Sequence, residues 1–265
     1  MISSTSNSRV KQVAALAKKA KYRRETGLFV VEGPRMFEEL PEERICQVYV
    51  TEEFLKDPAH KKSAEKAGKK EIVTEDVLKA MSDTQTPQGV LAVARQYEYS
   101  LSDLKSQKKP ALFMILERIQ DPGNLGTILR AGEGAGVTGV IMDQNTADIY
   151  NPKVIRSTMG SVFRVPFFYT DHLQSMLLAL KQEGVCLCAA HLKGKNSYDQ
   201  EDYRGDTAFL IGNEAAGLTE ETAGLADLLV RIPMCGRVES LNAAVASAIL
   251  MFEAARQRRS PKKLR

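Results

Sequence analysis

The sequence predicts an α/β protein in which a small α/β domain precedes a larger domain built on a parallel sheet. Short apolar runs alternate with helix-like segments along all 265 residues. The apolar runs of the second half are continuous, as expected for strands covered by helices on both faces. Between the halves, YEYSLSDLKSQKKP at residues 97–110 is polar and charged, which is typical of a linker. We therefore expect domains at residues 1–105 and 106–265.

The first hundred residues predict a small domain of alternating elements. A basic amphipathic helix is expected around residues 8–22. GLFVVEG, PRMFEEL and ICQVYV then predict strand, helix and strand in that order. A charged helix through KKSAEKAGKK and a strand in GVLAVAR complete this part.

The second part contains five apolar runs that predict strands of one parallel sheet. They are ALFMILERI, TGVIMD, GVCLCAAHL, TAFLIG and DLLVRIP, separated by helix-like segments. In open α/β sheets, ligands bind beyond the carboxyl ends of the strands. The loops after these runs are therefore where functional side chains are expected.

Positive charge is concentrated at both ends of a chain whose formal net charge is only +4. Residues 1–24 contain no acid, and residues 256–265 include six lysines and arginines. Such clusters fit binding to a polyanion such as RNA, and they also fit tails that aid solubility. Arg35 could contact RNA or form an ion pair with Glu32. The candidate RNA ligands are Arg9, Lys11, Arg23, Arg24 and Arg35.

Cysteine usage and hydropathy predict a cytoplasmic protein without a membrane segment. The four cysteines form no CxxC pair and are too few for a disulfide framework. No apolar run reaches 18 residues, and the N-terminus lacks the apolar segment of a secretory signal. Cys186, Cys188 and His191 could form a partial metal site. Alternation along a strand instead favours core cysteines, so we predict no metal.

The first polar loop, RIQDPGNLGTILRAGEGAGV, follows the ALFMILE run. Asp121 or Asn124 can cap the helix that begins there. Six residues beyond Asn124, Arg130 projects from a helix of otherwise small and apolar residues. The GEGAG glycines fall inside that helix rather than at its start, and no P-loop pattern occurs. A dinucleotide-phosphate site is therefore disfavoured.

Two further loops place polar residues after predicted strands. In LIGNEAAGL, Glu214 lies between Gly212 and Gly217. In IPMCGRVESLNAAVASAILMFEAA, Ser240 is expected to cap a long helix of small residues. Each loop alone fits an ordinary turn or cap. The combination of three such loops after strands of one sheet indicates a shared site.

Three stretches resemble, in order, the motifs of the SpoU/TrmH class of SPOUT RNA methyltransferases: DPGNLGTILRAGEGAGV, IGNEAAGL and IPMCGRVESLNAAVASAILMFEA. This class moves a methyl group from S-adenosylmethionine to a ribose 2′-hydroxyl. FVVEGPRMFEEL and SDTQTPQGVLAVA resemble the class's N-terminal substrate-binding domain, a small α/β fold related to ribosomal proteins. The resemblance implies a C-terminal trefoil knot, which is rare among proteins. It also implies a homodimer whose interface includes the helix after Ser240.

The resemblance implies specific roles in catalysis and cofactor binding. We expect Arg130 to remain cationic and stabilise a developing alkoxide, because deprotonating a guanidinium at neutral pH would cost roughly 7 kcal/mol. Glu214 is expected to fix its own loop, by pairing with Arg130 or with an arginine of a partner subunit. The implied catalytic residues are Asn124, Arg130, Glu214, Ser240 and Asn242. The implied cofactor contacts, mainly through main-chain groups, are Leu210, Gly212, Ile232, Met234 and Leu241.

The sequence is best interpreted as an S-adenosylmethionine-dependent RNA 2′-O-methyltransferase whose first 105 residues bind RNA. The type of N-terminal domain favours rRNA over tRNA as the substrate. A catalytically silent RNA-binding factor with the same fold is the main alternative, and the intact set of motif residues disfavours it. A Rossmann-type dinucleotide enzyme is disfavoured by the position of the glycines.

Overall fold

The computed structural model describes residues 1–65, 67–105 and 109–259. Two compact units are present, one of Met1–Tyr97 with Asp148–Phe163 and the other of Glu98–Ala147 with Arg164–Arg265. The chain therefore passes three times between the units. Residues 106–108 of the predicted linker lie outside the described residues, as do the C-terminal cations Lys262, Lys263 and Arg265.

Helices and strands alternate along most of the chain. The helices are α1 Ser8–Lys18, α2 Ala20–Thr26, α3 Pro34–Glu39, α4 Pro58–Glu65, α5 Glu75–Met81, α6 Leu101–Lys105, α7 Pro122–Ala135, α8 Pro152–Thr158, α9 Leu173–Gln182, α10 Glu220–Gly224 and α11 Ala243–Arg259. The strands are β1 Leu28–Glu32, β2 Ile45–Val50, β3 Lys70–Ile72, β4 Val90–Arg95, β5 Leu112–Leu116, β6 Gly139–Asp143, β7 Phe167–Thr170, β8 Cys186–Ala190, β9 Asn196–Ser197, β10 Thr207–Ile211 and β11 Leu228–Arg231.

The first unit is built on a mixed sheet in the order β1-β4-β2-β3. β4 is antiparallel to both β1 and β2, whereas β2 and β3 are parallel. The single basic helix predicted at residues 8–22 is wrong in extent, because Lys19 adopts an extended conformation and divides it into α1 and α2. The apolar stripe of α1 packs into the core of this unit through Val10, Val13, Leu16 and Ala17.

The second unit contains a sheet whose described strands follow the order β7-β6-β5-β10-β8-β11-β9. Every pair of neighbours in it is parallel. All residues of β5, β6 and β10 are buried, which confirms the prediction of strands covered on both faces. Since the strands are parallel, their carboxyl ends lie at one edge of the sheet. β7 and β9 were not predicted, because they are the short edge strands.

Helices α7 and α11 belong to the second unit and pack closely because small residues face the contact. A Cβ placed on Gly132 of α7 would meet Val137 at 3.4 Å and Met251 of α11 at 3.6 Å. The buried face of α11 consists largely of small and apolar side chains: Ala243, Ala244, Ser247, Leu250, Met251 and Ala254. The trefoil knot stays a prediction from the resemblance.

The segment expected to be a polar linker contains helix α6, whose Leu104 is fully buried. A Cβ on Gly139 would lie 2.5 Å from Leu104 Cγ, so β6 has a glycine where the leucine packs. Part of this segment therefore belongs to the core of the second unit. Among the described residues, no helix combines the length and the hydropathy needed to cross a membrane.

Candidate active site

The helix α7 begins directly after β5, and Asp121 determines where it starts. The Asp121 carboxylate accepts a hydrogen bond from the Asn124 amide at 2.8 Å, and Pro122 occupies the first helical position. Of the two caps that the sequence allowed, Asp121 is therefore the one used. The Asn124 side chain is left free to make contacts outside the helix.

Glu214, in the loop after β10, accepts hydrogen bonds from the β5–α7 loop. Its carboxylate receives the Asn124 side-chain amide at 2.9 Å and the main-chain amides of Gln120 at 3.3 Å and Asp121 at 3.2 Å. Partial burial alone would raise the pKa of Glu214. Hydrogen bonds from Asn124 and from the amides of Glu214 itself, Asp121 and Gln120 outweigh burial and hold that pKa below its usual value. Glu214 is consequently an anion whose lone pairs are occupied.

Asn242 lies directly before α11, caps that helix and also contacts the first loop. Its side-chain oxygen accepts hydrogen bonds from the amides of Ala244 at 2.9 Å and Val245 at 3.2 Å. Its side-chain nitrogen donates to Asn124 Oδ1 at 2.8 Å. The prediction that Ser240 caps this helix is wrong, because the helix begins at Ala243 and Asn242 supplies the cap.

A hydrogen-bonded chain from Glu214 through Asn124 to Asn242 therefore links the three predicted loops. Its direction follows from chemistry, since an ionised carboxylate can only accept. Asn124 must present its nitrogen to Glu214 and its oxygen to Asn242. Asn242 must then donate to Asn124, which leaves its oxygen for the amides of α11. Each amide side chain thus has a defined orientation, and three of the five predicted catalytic residues meet at the carboxyl edge of the sheet.

Arg130 and Ser240 are exposed and lie outside this chain of hydrogen bonds. Arg130 is six residues beyond Asn124, about 9 Å along α7 and turned about 120° around it. Neither side chain has a hydrogen bond or ion pair within the described parts of the chain. The expected pairing of Glu214 with Arg130 is therefore wrong within this chain, because Asn124 and two amides occupy the carboxylate instead. Arg130 is available to an external anion.

The loop after β10 is a compact turn organised by Asn213, which the sequence analysis missed. Its side-chain oxygen accepts from the amides of Ala215 and Ala216, each at 3.0 Å, and its side-chain nitrogen donates to the Arg118 carbonyl at 2.9 Å. A Cβ on Gly212 would lie 2.1 Å from the carbonyl carbon of Gly217, so this turn excludes any larger residue there. The signal for Asn213 in the sequence was an asparagine entering a glycine-bounded turn.

A second missed residue, Glu117, anchors the other end of the same loop. Its carboxylate is 4% exposed and accepts from the Thr219 amide at 2.8 Å, the Thr219 hydroxyl at 2.8 Å and the Thr222 hydroxyl at 2.7 Å. A buried carboxylate needs such donors. Sequence alone could not identify them, because the partners lie about a hundred residues away.

The residues predicted to bind the cofactor lie at the ends of β10 and β11. Leu210 is inside β10 with its side chain fully buried, and Gly212 follows that strand. Ile232, Met234 and Leu241 are half-buried in irregular chain between β11 and α11. Across residues 233–241, all of them described, no main-chain group has a hydrogen-bond partner in the described chain. This segment, the 233–241 loop, offers free donors and acceptors beside apolar side chains.

The first unit contains the predicted RNA ligands, and one of them must be withdrawn. Arg23 is 3% exposed, and its guanidinium donates to Asp148 at 2.6 Å and to the Leu16 carbonyl at 2.7 Å. It is a buried structural residue. Lys11, Arg24 and Arg35 are exposed, while Arg9 is exposed but paired with Glu71 at 2.8 Å.

One alternative from the sequence analysis, the pairing of Glu32 with Arg35, also receives an answer. Glu32 does not pair with Arg35: it accepts from the Asp83 amide at 2.7 Å and the Thr84 hydroxyl at 3.0 Å, and lies 3.9 Å from Arg156. Cys186 and Cys188 are neighbours on β8 with sulfurs 3.6 Å apart. The hydrogen bond with Cys186, together with burial, raises the pKa of the Cys188 thiol. The described residues contain no group of three or more potential metal ligands.

Comparison with protein families confirms the resemblance drawn from the sequence. Residues 111–252 match the SpoU rRNA Methylase family, and residues 7–92 match the MRM3-like substrate binding domain. The chain is 34% identical to the 23S rRNA (guanosine(2553)-2′-O)-methyltransferase RlmP of Bacillus subtilis, over 95% of this chain and 97% of that protein. It is 36% identical to the 23S rRNA (guanosine-2′-O-)-methyltransferase RlmB of Bordetella pertussis, over 74% of this chain and 81% of that one.

Solved structures agree over almost the whole chain. The SpoU methyltransferase AviRb from Streptomyces viridochromogenes, in complex with AdoMet, superposes with a TM-score of 0.88 at 28% identity, covering 97% of this chain and all of that one. An AdoMet-bound rRNA methyltransferase from Sinorhizobium meliloti gives a TM-score of 0.82 at 33% identity, covering 98% of each chain. Both units are thus of a kind found in enzymes that bind this cofactor.

Proposed function

The chain belongs to the SpoU rRNA Methylase family, and we propose that it transfers a methyl group from S-adenosylmethionine to a ribose 2′-hydroxyl of 23S rRNA. The observation that supports this most directly is the chain of hydrogen bonds from Glu214 through Asn124 to Asn242. It brings three separate motifs to the edge where parallel sheets bind ligands. The relatives from Bacillus and Bordetella act on a guanosine, so we propose a guanosine as the target nucleotide.

The residues near the ends of β10 and β11 fit S-adenosylmethionine. An adenine edge requires donors and acceptors in one plane, and the 233–241 loop has main-chain groups that no described residue uses. Half-buried Ile232, Met234 and Leu241 supply apolar surface for the ring. Gly212 lets the main chain of Gly217 and Leu218 pack directly against it, which fixes the turn that follows β10. We propose that these residues hold the cofactor together with the main chain near Leu210, at the end of β10.

Arg130 is the residue we assign to the reacting hydroxyl. S-adenosylmethionine supplies an electrophilic methyl group: the carbon–sulfur bond breaks as the carbon–oxygen bond forms, and the hydroxyl proton leaves. Negative charge develops on the ribose oxygen, and a guanidinium without an internal anion can stabilise that charge. Ser240, which lies two residues before Asn242, is exposed and is proposed to contact the ribose.

Glu214 and Asn124 act as positioning residues in this proposal. The Glu214 carboxylate is already engaged by the Asn124 side chain and by main-chain amides, and its lowered pKa makes it a weak base. Its role is to hold the loops after β5 and β10 together. Proton loss from the hydroxyl then falls to another group or to water.

We further propose that the active form is a homodimer in which α11 contributes to the interface. Val245 and Phe252 are seven residues apart on α11 and lie on one face, with 49% and 44% of their surfaces exposed. Apolar side chains of this size are more stable when covered. Light scattering should report a dimer, and Val245→Asp should shift it toward monomer.

We propose that the first unit binds rRNA through Lys11, Arg24 and Arg35, with Arg9 available once it exchanges Glu71 for a phosphate. Because the proposed substrate is 23S rRNA, we propose that the enzyme acts in the cytoplasm, where bacterial ribosomal subunits are assembled. The same substrate-binding unit favours rRNA over tRNA as the partner.

The test is methyl transfer in vitro. The full chain is incubated with methyl-labelled S-adenosylmethionine and unmodified 23S rRNA, and the RNA is hydrolysed in alkali. A 2′-O-methyl group blocks cleavage at its own position, so label is expected in an alkali-resistant dinucleotide. Unmodified tRNA serves as the matched control. Cofactor binding without transfer to any RNA would instead identify a silent RNA-binding factor.

A further inference from the structure

Arg118 is the residue that follows Glu117 at the end of β5, and its backbone is unusual. Its φ angle is +57°, in the left-handed region that side chains other than glycine, asparagine and aspartate rarely adopt. Two side chains maintain this conformation. The Asp143 carboxylate accepts the Arg118 amide at 2.8 Å, and the Asn213 amide donates to the Arg118 carbonyl at 2.9 Å. The turn therefore needs a left-handed residue but does not need an arginine.

The Arg118 side chain also lacks a partner. Its Nε atom is buried and makes no hydrogen bond, and the guanidinium forms no ion pair within the described residues. A shielded donor without an acceptor is costly. Nothing inside the described chain explains an arginine at this position.

Asp143, Glu117 and Glu214 each accept hydrogen bonds from neutral donors. Asp143 accepts from the Arg118 main chain and the Thr146 hydroxyl, and Glu117 accepts from two threonines. Glu214 is bonded to Asn124 and two amides. The positive charge of Arg118 is consequently left unneutralised at the carboxyl edge of the sheet.

We propose that Arg118 binds a backbone phosphate of the RNA beside the target nucleotide. This inference rests on the proposed function. A ribose 2′-hydroxyl cannot enter a site without the phosphodiester on the adjacent 3′ oxygen, so an anion must be accommodated close to the reacting group. A guanidinium suits it, because its planar donors match phosphate oxygens. The strained backbone is then retained for binding, as strain at ligand sites commonly is.

The experiment compares Arg118→Gly and Arg118→Asn with the full-length wild type. Both replacements tolerate a left-handed backbone, so the melting temperature is expected to be unchanged or raised. The dissociation constant for a 23S rRNA fragment is expected to rise about tenfold. One fewer phosphate contact should lower the slope of log affinity against log salt by about 0.7 to 0.9. The loss of activity should lie in the KM for RNA rather than in kcat.

Two further variants complete the test. Arg118→Lys should restore the salt slope but only part of the affinity, because the charge remains and the planar fork does not. Arg164→Asn removes an arginine that is already paired with Glu133 and should leave the salt slope unchanged.

An unchanged salt slope in both Arg118→Gly and Arg118→Asn would overturn the proposal. So would a fall in melting temperature in both, which indicates a structural role, or a raised KM for S-adenosylmethionine with RNA affinity intact. Failure of the wild type to methylate any rRNA would refute the proposed function, whereas the salt slope of RNA binding reports on Arg118 without turnover.

Discussion

The loops at the carboxyl edge of the parallel sheet differ sharply in how they are held. The loops after β5 and β10 are joined by hydrogen bonds from Asn124 and Asn213 and by the carboxylates of Glu117 and Glu214. In the 233–241 loop after β11, the main chain makes no hydrogen bond to any described residue. One part of the candidate site is therefore fixed before any ligand arrives, and the other part has its main-chain groups available.

This difference assigns different tasks to the two parts. Groups that stabilise charge in a transition state are effective when they are already oriented, because reorganisation then costs little. Groups that enclose a ligand must allow it to enter, and segments with few internal hydrogen bonds open most easily. We infer that the fixed part positions the reacting ribose and that the 233–241 loop closes on the cofactor.

The largest effect is expected from Arg130, which lies on the fixed helix α7 but has no partner of its own in the described chain. Arg130→Ala should lower kcat/KM for rRNA by about 10² to 10³. Its stability should change by less than about 0.5 kcal/mol, because an exposed and unpaired side chain is removed. Steady-state kinetics measures the loss of kcat/KM, and thermal unfolding measures the change in stability. A large loss of stability would show that Arg130 is structural, and Arg130→Lys measures how much of the effect is charge alone.

Gly212 tests whether the fixed part tolerates any adjustment. Gly212→Ala would place a Cβ 2.1 Å from the Gly217 carbonyl carbon, a contact that only a shift of main chain can relieve. We expect a loss of about 3 kcal/mol in the free energy of unfolding, measured with urea. Gly236→Ala in the 233–241 loop is the matched control, because a Cβ there meets nothing within 4 Å. Equal effects of the two variants would erase the distinction between the loops.

Asn242 lies where the two parts meet, and two variants separate its roles. Asn242→Asp keeps an oxygen that caps α11 but cannot donate to Asn124, so activity should fall with little loss of stability. Asn242→Ala loses both contacts and should lower the free energy of unfolding by about 1 kcal/mol or more. Ser240→Ala should leave stability unchanged. If Ser240→Ala destabilised as much as Asn242→Ala, the assignment of the cap to Asn242 would be wrong.

A smaller effect is expected from Glu214, and it should depend on pH. Glu214→Gln keeps one acceptor oxygen but places a side-chain NH2 donor against a main-chain N–H donor. We therefore expect the free energy of unfolding to fall by about 1 kcal/mol at neutral pH. Because the pKa of Glu214 is lower in the folded state than in the unfolded state, its contribution to stability is present above the unfolded-state pKa and is lost as the pH falls through the folded-state pKa. Urea unfolding of wild type and variant should therefore converge at acidic pH. A difference that persists there would assign the effect to packing instead of charge.

Much of the fold was predictable because its signals are local. The continuous apolar runs predicted β5, β6 and β10, and the three motif loops were placed correctly after their strands. The linker was less predictable, because one buried leucine in a polar segment, Leu104, decides that α6 joins the core. Long-range packing of this kind leaves little trace in local composition.

The candidate site was predictable in its residue types but not in its bonding. Ser240 and Asn242 are both good caps, and only the position of α11 decides between them. Arg23 and Arg24 are adjacent and identical in type, yet one is buried against Asp148 and the other is exposed. The partners of Glu117 are distant in sequence, so its role emerges only when the strands are assembled.

Amide hydrogen exchange with and without S-adenosylmethionine tests the division of the site most directly. Addition of the cofactor is expected to slow exchange in the 233–241 loop, while the amides of Asn124, Ala215 and Ala216, already hydrogen-bonded, change little. The opposite result, in which the loops after β5 and β10 become protected and the 233–241 loop does not, would contradict the account.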